Sequence, residues 1–142
     1  MTTSSKISLG FYIGLIFLFS FKLIYTHIPK TFNVTCEDLW NEFRLHPKIS
    51  EIKYKKSTIT LTGVGDSIES FKNDDGNYTV VFYFDKGIVD DSEYKNGIFV
   101  QMNTKTLNLK ENEEVKIIGD FDSGYSSKNY TNIYLLNGRI TK

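Results

Sequence analysis

Residues 54 to 65, YKKSTITLTGVG, decide the fold of this 142-residue chain. Within them, Ile59 and Leu61 alternate with threonines, which is the period of a strand with one buried face. Beyond Gly63 the apolar positions change parity. A one-residue shift at a glycine is typical of a β-bulge, which lets a long strand bend and serve two sides of a barrel. The segment therefore predicts the opening strand of a small β-barrel.

Short β-rich segments broken by Gly, Asn and Asp follow this strand. The composition, with eleven Phe and nine Tyr, favours strands. Residues 77–84, 98–102, 115–119 and 133–140 are the later predicted strands, and 85–97 is a predicted acidic loop. Five strands of this length and spacing predict a small closed barrel. The predicted core consists of Ile59, Leu61, Val80, Phe82, Val100, Ile117, Ile133 and Leu135.

A short helix is predicted ahead of the first strand, over residues 35–45. Thr35 can cap the free backbone N–H groups, and acidic residues follow in the first turn. Leu39, Trp40 and Phe43 form one narrow apolar stripe, and Pro47 ends the helix. A second, shorter helical turn over residues 48–52 leads into the strand.

The N-terminus predicts a membrane segment. Residues 7–21 carry no charge, and the apolar run extends to residue 25 if Lys22 reaches the interface. No cleavage site of small residues follows the run, so an uncleaved signal anchor is favoured over a cleaved signal. We expect a single-pass protein of the cytoplasmic membrane that contacts the membrane through residues 7–25, with its folded domain outside the cytoplasm. The predicted division is a signal anchor (1–26), a linker (27–34) and a domain (35–142).

Few residues suit catalysis. Neither His27 nor His46 falls at a strand end with a carboxylate or a cysteine nearby in sequence, and Cys36 is the sole cysteine. No glycine-rich phosphate loop is present. We therefore expect no enzyme activity, no cofactor and no metal. Residues 31–142 hold 14 basic and 17 acidic residues, a net charge of −3, which argues against a nucleic-acid partner.

A family resemblance is carried by the order of several motifs. They are Leu39-Trp40-x-x-Phe43, then Tyr54-Lys55, the strand from Ile59 to Gly63, Leu109 followed by Val115-x-Ile117-x-Gly119, and Ile133-x-Leu135. Over residues 36–141 the chain resembles the tRNA_anti-like family of OB-fold domains. The resemblance implies a mainly β fold, a five-stranded OB-like barrel, in a bacterial protein associated with the membrane. The chain departs from the family at Gly138, where relatives commonly carry a cysteine.

Two functions remain open. The first is a tethered interaction module that binds a protein or a small ligand. The alternative is a single-stranded nucleic-acid binder, in which aromatic side chains stack on bases and lysines follow the phosphates. The candidate binding face consists of Tyr83, Phe99, Tyr134, Lys53 and Lys55. Its three aromatic residues are out of phase with the predicted core positions, so they either face outward together or pack beneath the N-terminal helix.

Overall fold

The computed structural model describes residues 29–63, 67–84, 88–89, 92–93, 96–109 and 113–141. Two helices and nine strands lie in this part of the chain. The helices are α1 (Cys36–Leu45) and α2 (Pro47–Tyr54). The strands are β1 (Lys30–Thr35), β2 (Ser57–Gly63), β3 (Ser67–Lys72), β4 (Tyr78–Tyr83), β5 (Ile88–Val89), β6 (Ser92–Glu93), β7 (Gly97–Met102), β8 (Val115–Ser126) and β9 (Thr131–Thr141).

Seven of these strands form one sheet, in the order β1-β2-β8-β9-β7-β4-β3. Neighbouring strands are antiparallel except for the pairs β1 with β2 and β7 with β9, which are parallel. Strands β5 and β6 form a separate two-stranded sheet within the predicted loop 85–97. The prediction of a mainly β fold is confirmed and the predicted helix is present as α1, but α1 follows strand β1 instead of preceding the whole sheet.

The strand count differs from the predicted five for two reasons. Residues 30–34, placed in the linker by the sequence, belong to β1 and pair with β2 from Lys30 opposite Ser57 to Thr35 opposite Thr62. The predicted opening strand is divided into β2 and β3, which pair with different neighbours, β8 and β4. The predicted bend after Gly63 falls at residues 64–66, which lie outside the described residues.

The sheet is not closed into a barrel by the ladders of the described residues. Its two edge strands are β1 and β3. Strands β2 and β3 are nevertheless consecutive in the chain, with only residues 64–66 between them. Strands β2 and β3 thus lie at opposite ends of the series β2-β8-β9-β7-β4-β3, although they are neighbours in the sequence.

The predicted core is confirmed. All eight predicted core side chains have at most 1% of their surface exposed. They belong to one cluster, to which α1 contributes Cys36, Leu39 and Phe43 and α2 contributes Tyr54. Burial of these side chains removes apolar surface from water, which is the main favourable contribution to the folding free energy.

Helix α1 begins where its capping residue predicts. The Oγ1 atom of Thr35 accepts a hydrogen bond of 3.0 Å from the backbone N–H of Asp38. On the buried side, the ring of Phe43 stacks on Phe121 of β8 with centroids 5.6 Å apart. The Trp40 indole donates a hydrogen bond of 3.2 Å to the carbonyl of Thr131, at the start of β9. The helix is thereby fixed to the hairpin of β8 and β9.

The predicted membrane segment, residues 7–25, lies outside the described residues. Neither helix of the described part of the chain combines the length and hydropathy that a membrane crossing requires.

Candidate binding face

One row of side chains crosses the sheet on the side away from the core. Alternate residues of a strand lie on the same side of a sheet, so residues opposite each other in the ladders share a side. Val81 of β4 lies opposite Phe99 of β7, Phe99 opposite Tyr134 of β9, and Tyr134 opposite Ser123 of β8. This outer side therefore brings together two of the aromatic residues predicted for the candidate face.

Phe99 and Tyr134 form a stacked pair. Their ring centroids are 5.1 Å apart and their planes differ by 20°. Such a pair contributes about 0.5–1.5 kcal/mol beyond the burial of its surface. Phe99 is half-buried, whereas 39% of Tyr134 is exposed. The pair therefore holds the Tyr134 ring in a fixed position while leaving part of it open to solvent.

Tyr83 is on the same side of the sheet but is not part of an exposed platform. It lies two residues beyond Val81 on β4 and opposite Gly97 of β7, which places it on the outer side. Only 2% of its surface is exposed. Of the three predicted aromatic residues, Phe99 and Tyr134 are neighbours, whereas Tyr83 is buried and offers no surface to a ligand.

Two further tyrosines lie beside Tyr134, at the turn that joins β8 to β9. The Oγ atom of Ser127 accepts hydrogen bonds of 3.3 Å from the backbone N–H groups of Asn129 and Tyr130. This local bonding is typical of turns at serine. The turn brings Tyr130 to a centroid distance of 5.5 Å from Tyr125, of which 55% is exposed.

The tyrosines surround an open depression of about 380 Å³. Its lining residues, which we call the aromatic patch, are Tyr125, Tyr130, Asn132 and Tyr134. The Oδ1 atom of Asn132 accepts a hydrogen bond of 3.2 Å from the backbone N–H of Gly97, which fixes the amide in place. Within the described part of the chain, its Nδ2 group has no hydrogen-bond partner. The patch thus combines flat apolar rings with one oriented amide donor.

In the described segment that carries the patch, charged side chains are few and most are acidic. Between residues 119 and 135 the charged side chains are Asp120, Asp122 and Lys128, and β7 carries none. Asp120 accepts hydrogen bonds from Asn137 at 3.0 Å and from Thr58 at 2.8 Å, and these bonds lower the pKa of its carboxyl group. Asp120 therefore stays ionised at neutral pH, and among the described residues from 119 to 135 the two aspartates outnumber the one lysine, which does not favour a polyanion.

Lys53 and Lys55 lie apart from the aromatic patch. Lys53 is on α2, whose Tyr54 packs against the core side of β8, whereas Tyr134 faces outward. The Nζ atom of Lys53 is 2.9 Å from both carboxylate oxygens of Glu42, and this hydrogen bond raises the pKa of Lys53. Lys55 is exposed just after α2. The predicted binding face is therefore split into two separate surfaces.

Among the residues that the structure describes, which do not include His27, the groups that could act in catalysis are not brought together. Burial raises the pKa of the Cys36 thiol to about 12, so the thiol stays protonated at neutral pH. His46 is exposed between α1 and α2. Among the described residues, no three His, Cys, Asp or Glu side chains form a group able to hold a metal ion.

Tyr125, Tyr130 and Asn132 were not predicted from the sequence. The signal that could have found them is the alternation of Tyr130, Asn132 and Tyr134, which has the period of a strand. It is short and follows a stretch of Ser, Gly, Lys and Asn residues that is typical of a loop.

The fold and this face define a small, mainly β domain with two helices and an exposed aromatic patch. No protein-family model matches the chain, and no curated protein matches it. A crystal structure from Klebsiella pneumoniae subsp. pneumoniae MGH 78578, described as a "putative nucleic acid-binding lipoprotein", is similar in structure with a TM-score of 0.47 and 16% sequence identity. The match covers 80% of this chain and 92% of that one. The likeness is too distant to assign this chain a function.

Proposed function

We propose that this protein is a membrane-tethered interaction module with an OB-like barrel, held outside the cytoplasm, that binds a protein or a small ligand through the aromatic patch. The observation that carries this proposal is the patch itself. Tyr125 and Tyr134 are exposed on a sheet whose backbone is fixed on both sides, and Phe99 supports Tyr134 from the neighbouring strand. Rigid exposed tyrosines give a large contact area at a low entropic cost, which suits them to binding.

The order of the strands supports an OB-like barrel. If β2 and β3 are two halves of one bent strand, the ladders run from that strand through β4, β7, β9 and β8 and return to it. This is a five-stranded closed arrangement of the kind that OB-folds adopt. OB-folds bind their ligands on one sheet face and at adjoining loops. The aromatic patch, on a sheet face beside the β8–β9 turn, occupies a comparable position.

The tether is supported by sequence alone. Residues 7–21 are free of charge, and no cleavage site of small residues follows them. Strand β1 begins at Lys30, a few residues after the apolar run. A domain joined to the membrane by so short a connection would remain at the membrane surface.

The chemistry of the patch favours a ligand that carries little charge. Exposed tyrosine rings bind flat apolar surfaces, and the Nδ2 group of Asn132 can donate a hydrogen bond to a carbonyl or hydroxyl oxygen. A surface loop or an aromatic side chain of a partner protein fits these groups, as does a small neutral molecule with a ring.

The alternative function is binding of single-stranded nucleic acid. The observation that favours it is the Phe99–Tyr134 stack with Tyr125 nearby, since exposed rings on a sheet can stack on bases. The local charge opposes it, because Asp120 and Asp122 lie on the neighbouring strand. The interaction module is therefore the better-supported function.

Site-directed crosslinking in membranes tests the proposal. The full chain carries the photo-crosslinking residue p-benzoylphenylalanine at Tyr134, within the patch. The matched control carries it at Phe71, an aromatic residue of β3 that is 47% exposed and lies outside the patch. We expect a discrete crosslinked product at Tyr134 and none at Phe71. A further Tyr125→Ser change should reduce its yield about tenfold, as expected for loss of a central aromatic contact.

Two results would contradict the proposal. One is an equal pattern of products from both positions, which indicates random collision. The other is a product at Tyr134 that is unchanged by Tyr125→Ser, because the partner would then not occupy the depression. A product that carries nucleic acid would favour the alternative function.

A further inference from the structure

The outward side of α2 exposes large aliphatic side chains. Ser50 and Tyr54 face the core, while Ile49 is 66% exposed and Ile52 is 75% exposed. Leu45, the last residue of α1, is 60% exposed. Single exposed aliphatic residues are ordinary, but three within eight consecutive residues form a surface that core packing does not explain.

Basic residues accompany this apolar surface. Arg44, Lys48, Lys55 and Lys56 are all exposed, and Glu51 is the exposed acid among them. Lys53 is paired with Glu42. Residues 44–56 thus hold five basic side chains and one acidic side chain, in a domain whose net charge over residues 31–142 is −3. The basic residues are concentrated where the exposed aliphatic side chains lie.

This surface is next to the point where the chain arrives from the N-terminal apolar run. Lys30, the first residue of β1, pairs with Ser57, which directly follows Lys56. The ring of Phe32 contacts that of Tyr54 with centroids 4.8 Å apart, so β1 lies against the end of α2. The apolar run ends at residue 25, five residues before Lys30. Five extended residues span at most about 18 Å.

We propose that the outward side of α2 rests on the lipid bilayer and binds anionic headgroups. This surface, which we call the membrane patch, consists of Leu45, Lys48, Ile49, Ile52, Lys55 and Lys56. Aliphatic side chains flanked by lysines insert into the interface while the ammonium groups reach the lipid phosphates. The inference rests on the proposed tether, because the short connection is what brings α2 to the surface. Docking by α2 leaves the aromatic patch, on the outer side of the sheet, open to a partner.

An environment-sensitive label reports whether the membrane patch touches lipid. Ile52→Cys in the full chain is labelled with a nitrobenzoxadiazole dye and reconstituted in vesicles of phosphatidylcholine with phosphatidylglycerol. Cys36, the one native cysteine, is 2% exposed, and burial raises its thiol pKa to about 12, so labelling is confined to the new thiol. The matched control is Ile140→Cys on β9, at 41% exposure.

We expect the label at position 52 to shift to shorter emission wavelengths and to be quenched by spin-labelled lipids, while the label at position 140 does neither. Changing Lys48, Lys55 and Lys56 together to glutamate should abolish the shift at position 52 without changing the thermal melting of the domain. Equal behaviour of the two labels would overturn the proposal.

Alkaline extraction of the same vesicles separates failure of the patch from failure of the tether. If the chain stays with the membrane but the label at position 52 stays in water, the tether stands and the membrane patch is wrong. If the chain is extracted, the tether is wrong, and the extracted protein is mixed with fresh anionic vesicles. If the label at position 52 then shifts on vesicle binding, and the three glutamates weaken that binding about tenfold or more, the membrane patch is supported without the tether. No shift overturns both.

Discussion

At Gly124 the strand β8 lies directly against the ring of Phe43 of α1. A Cβ atom built there would overlap the ring of Phe43, with Cδ1 at 2.7 Å and Cζ at 2.8 Å. Because Phe43 is fully buried between Tyr54 and Phe121, its ring has little room to move. We expect Gly124→Ala to lower the free energy of unfolding by about 1–3 kcal/mol, as measured by urea denaturation.

The control for this substitution is Lys116→Ala on the same strand. Lys116 is exposed, so its loss should change the free energy of unfolding by less than about 0.5 kcal/mol. If Gly124→Ala changed the free energy of unfolding no more than the control, the ring of Phe43 would be free to move aside. Helix α1 would then be packed more loosely than its aromatic contacts indicate.

At the scale of elements, α1 depends on the cap at its first turn. The Thr35 hydroxyl accepts a hydrogen bond from the Asp38 N–H, one of the four that the helix itself leaves unpaired. We expect Thr35→Ala to cost about 0.5–2 kcal/mol of unfolding free energy, measured by thermal or urea denaturation. Thr35→Ser keeps an oxygen at the same position and should recover most of the loss. Equal losses for Ala and Ser would assign the effect to the β1 ladder instead of the cap.

Local pattern predicted the elements whose signals are complete within a few residues. The cap and apolar stripe predicted α1, and strict alternation placed Ile59 and Leu61 in the core. Strand β1 was missed because it is held by β2, more than twenty residues away, and Phe32 and Val34 are its only apolar residues. The second half of β8 was missed because irregularities between Ile118 and Asp120, and between Phe121 and Ser123, break the alternation.

The candidate face was predicted only in part, because local periodicity carries part of the information that defines it. Period two correctly put Phe99 and Tyr134 out of phase with the core, and the ladders make them neighbours. Periodicity gives the side of a sheet on which a residue lies but not whether another segment covers it, so the burial of Tyr83 could not be predicted. Tyr125 lies on β8 opposite Asn132 of β9, and the turn between these two strands brings the ring of Tyr130 against it.

Over the whole molecule, the net charge determines how strongly the domain binds a polyanion. With a net charge of −3 over residues 31–142, and with Asp122 as the nearest exposed acid to Tyr125 on β8, few counterions would be released on binding. We expect no binding of labelled single-stranded DNA or RNA at micromolar concentration in about 0.15 M salt, measured by fluorescence anisotropy. A micromolar or tighter dissociation constant that weakens steeply with added salt would instead support the nucleic-acid function.

Asp122→Lys is the matched variant for that measurement. It changes the local charge by two units without touching the tyrosines, so any stacking on the patch should become measurable through the added attraction. An unchanged absence of binding in Asp122→Lys would mean that the rings do not stack on bases even when charge permits it.

The parallel pairing of β1 with β2 also determines how the domain responds to a mechanical load. A pull on Lys30 along the strand acts parallel to the β1–β2 ladder, so it tends to slide the six paired positions past one another. In this shear geometry the hydrogen bonds share the force, whereas a pull across the ladder would break them one after another. Traction from the N-terminal side is therefore shared at once by the row of hydrogen bonds between β1 and β2.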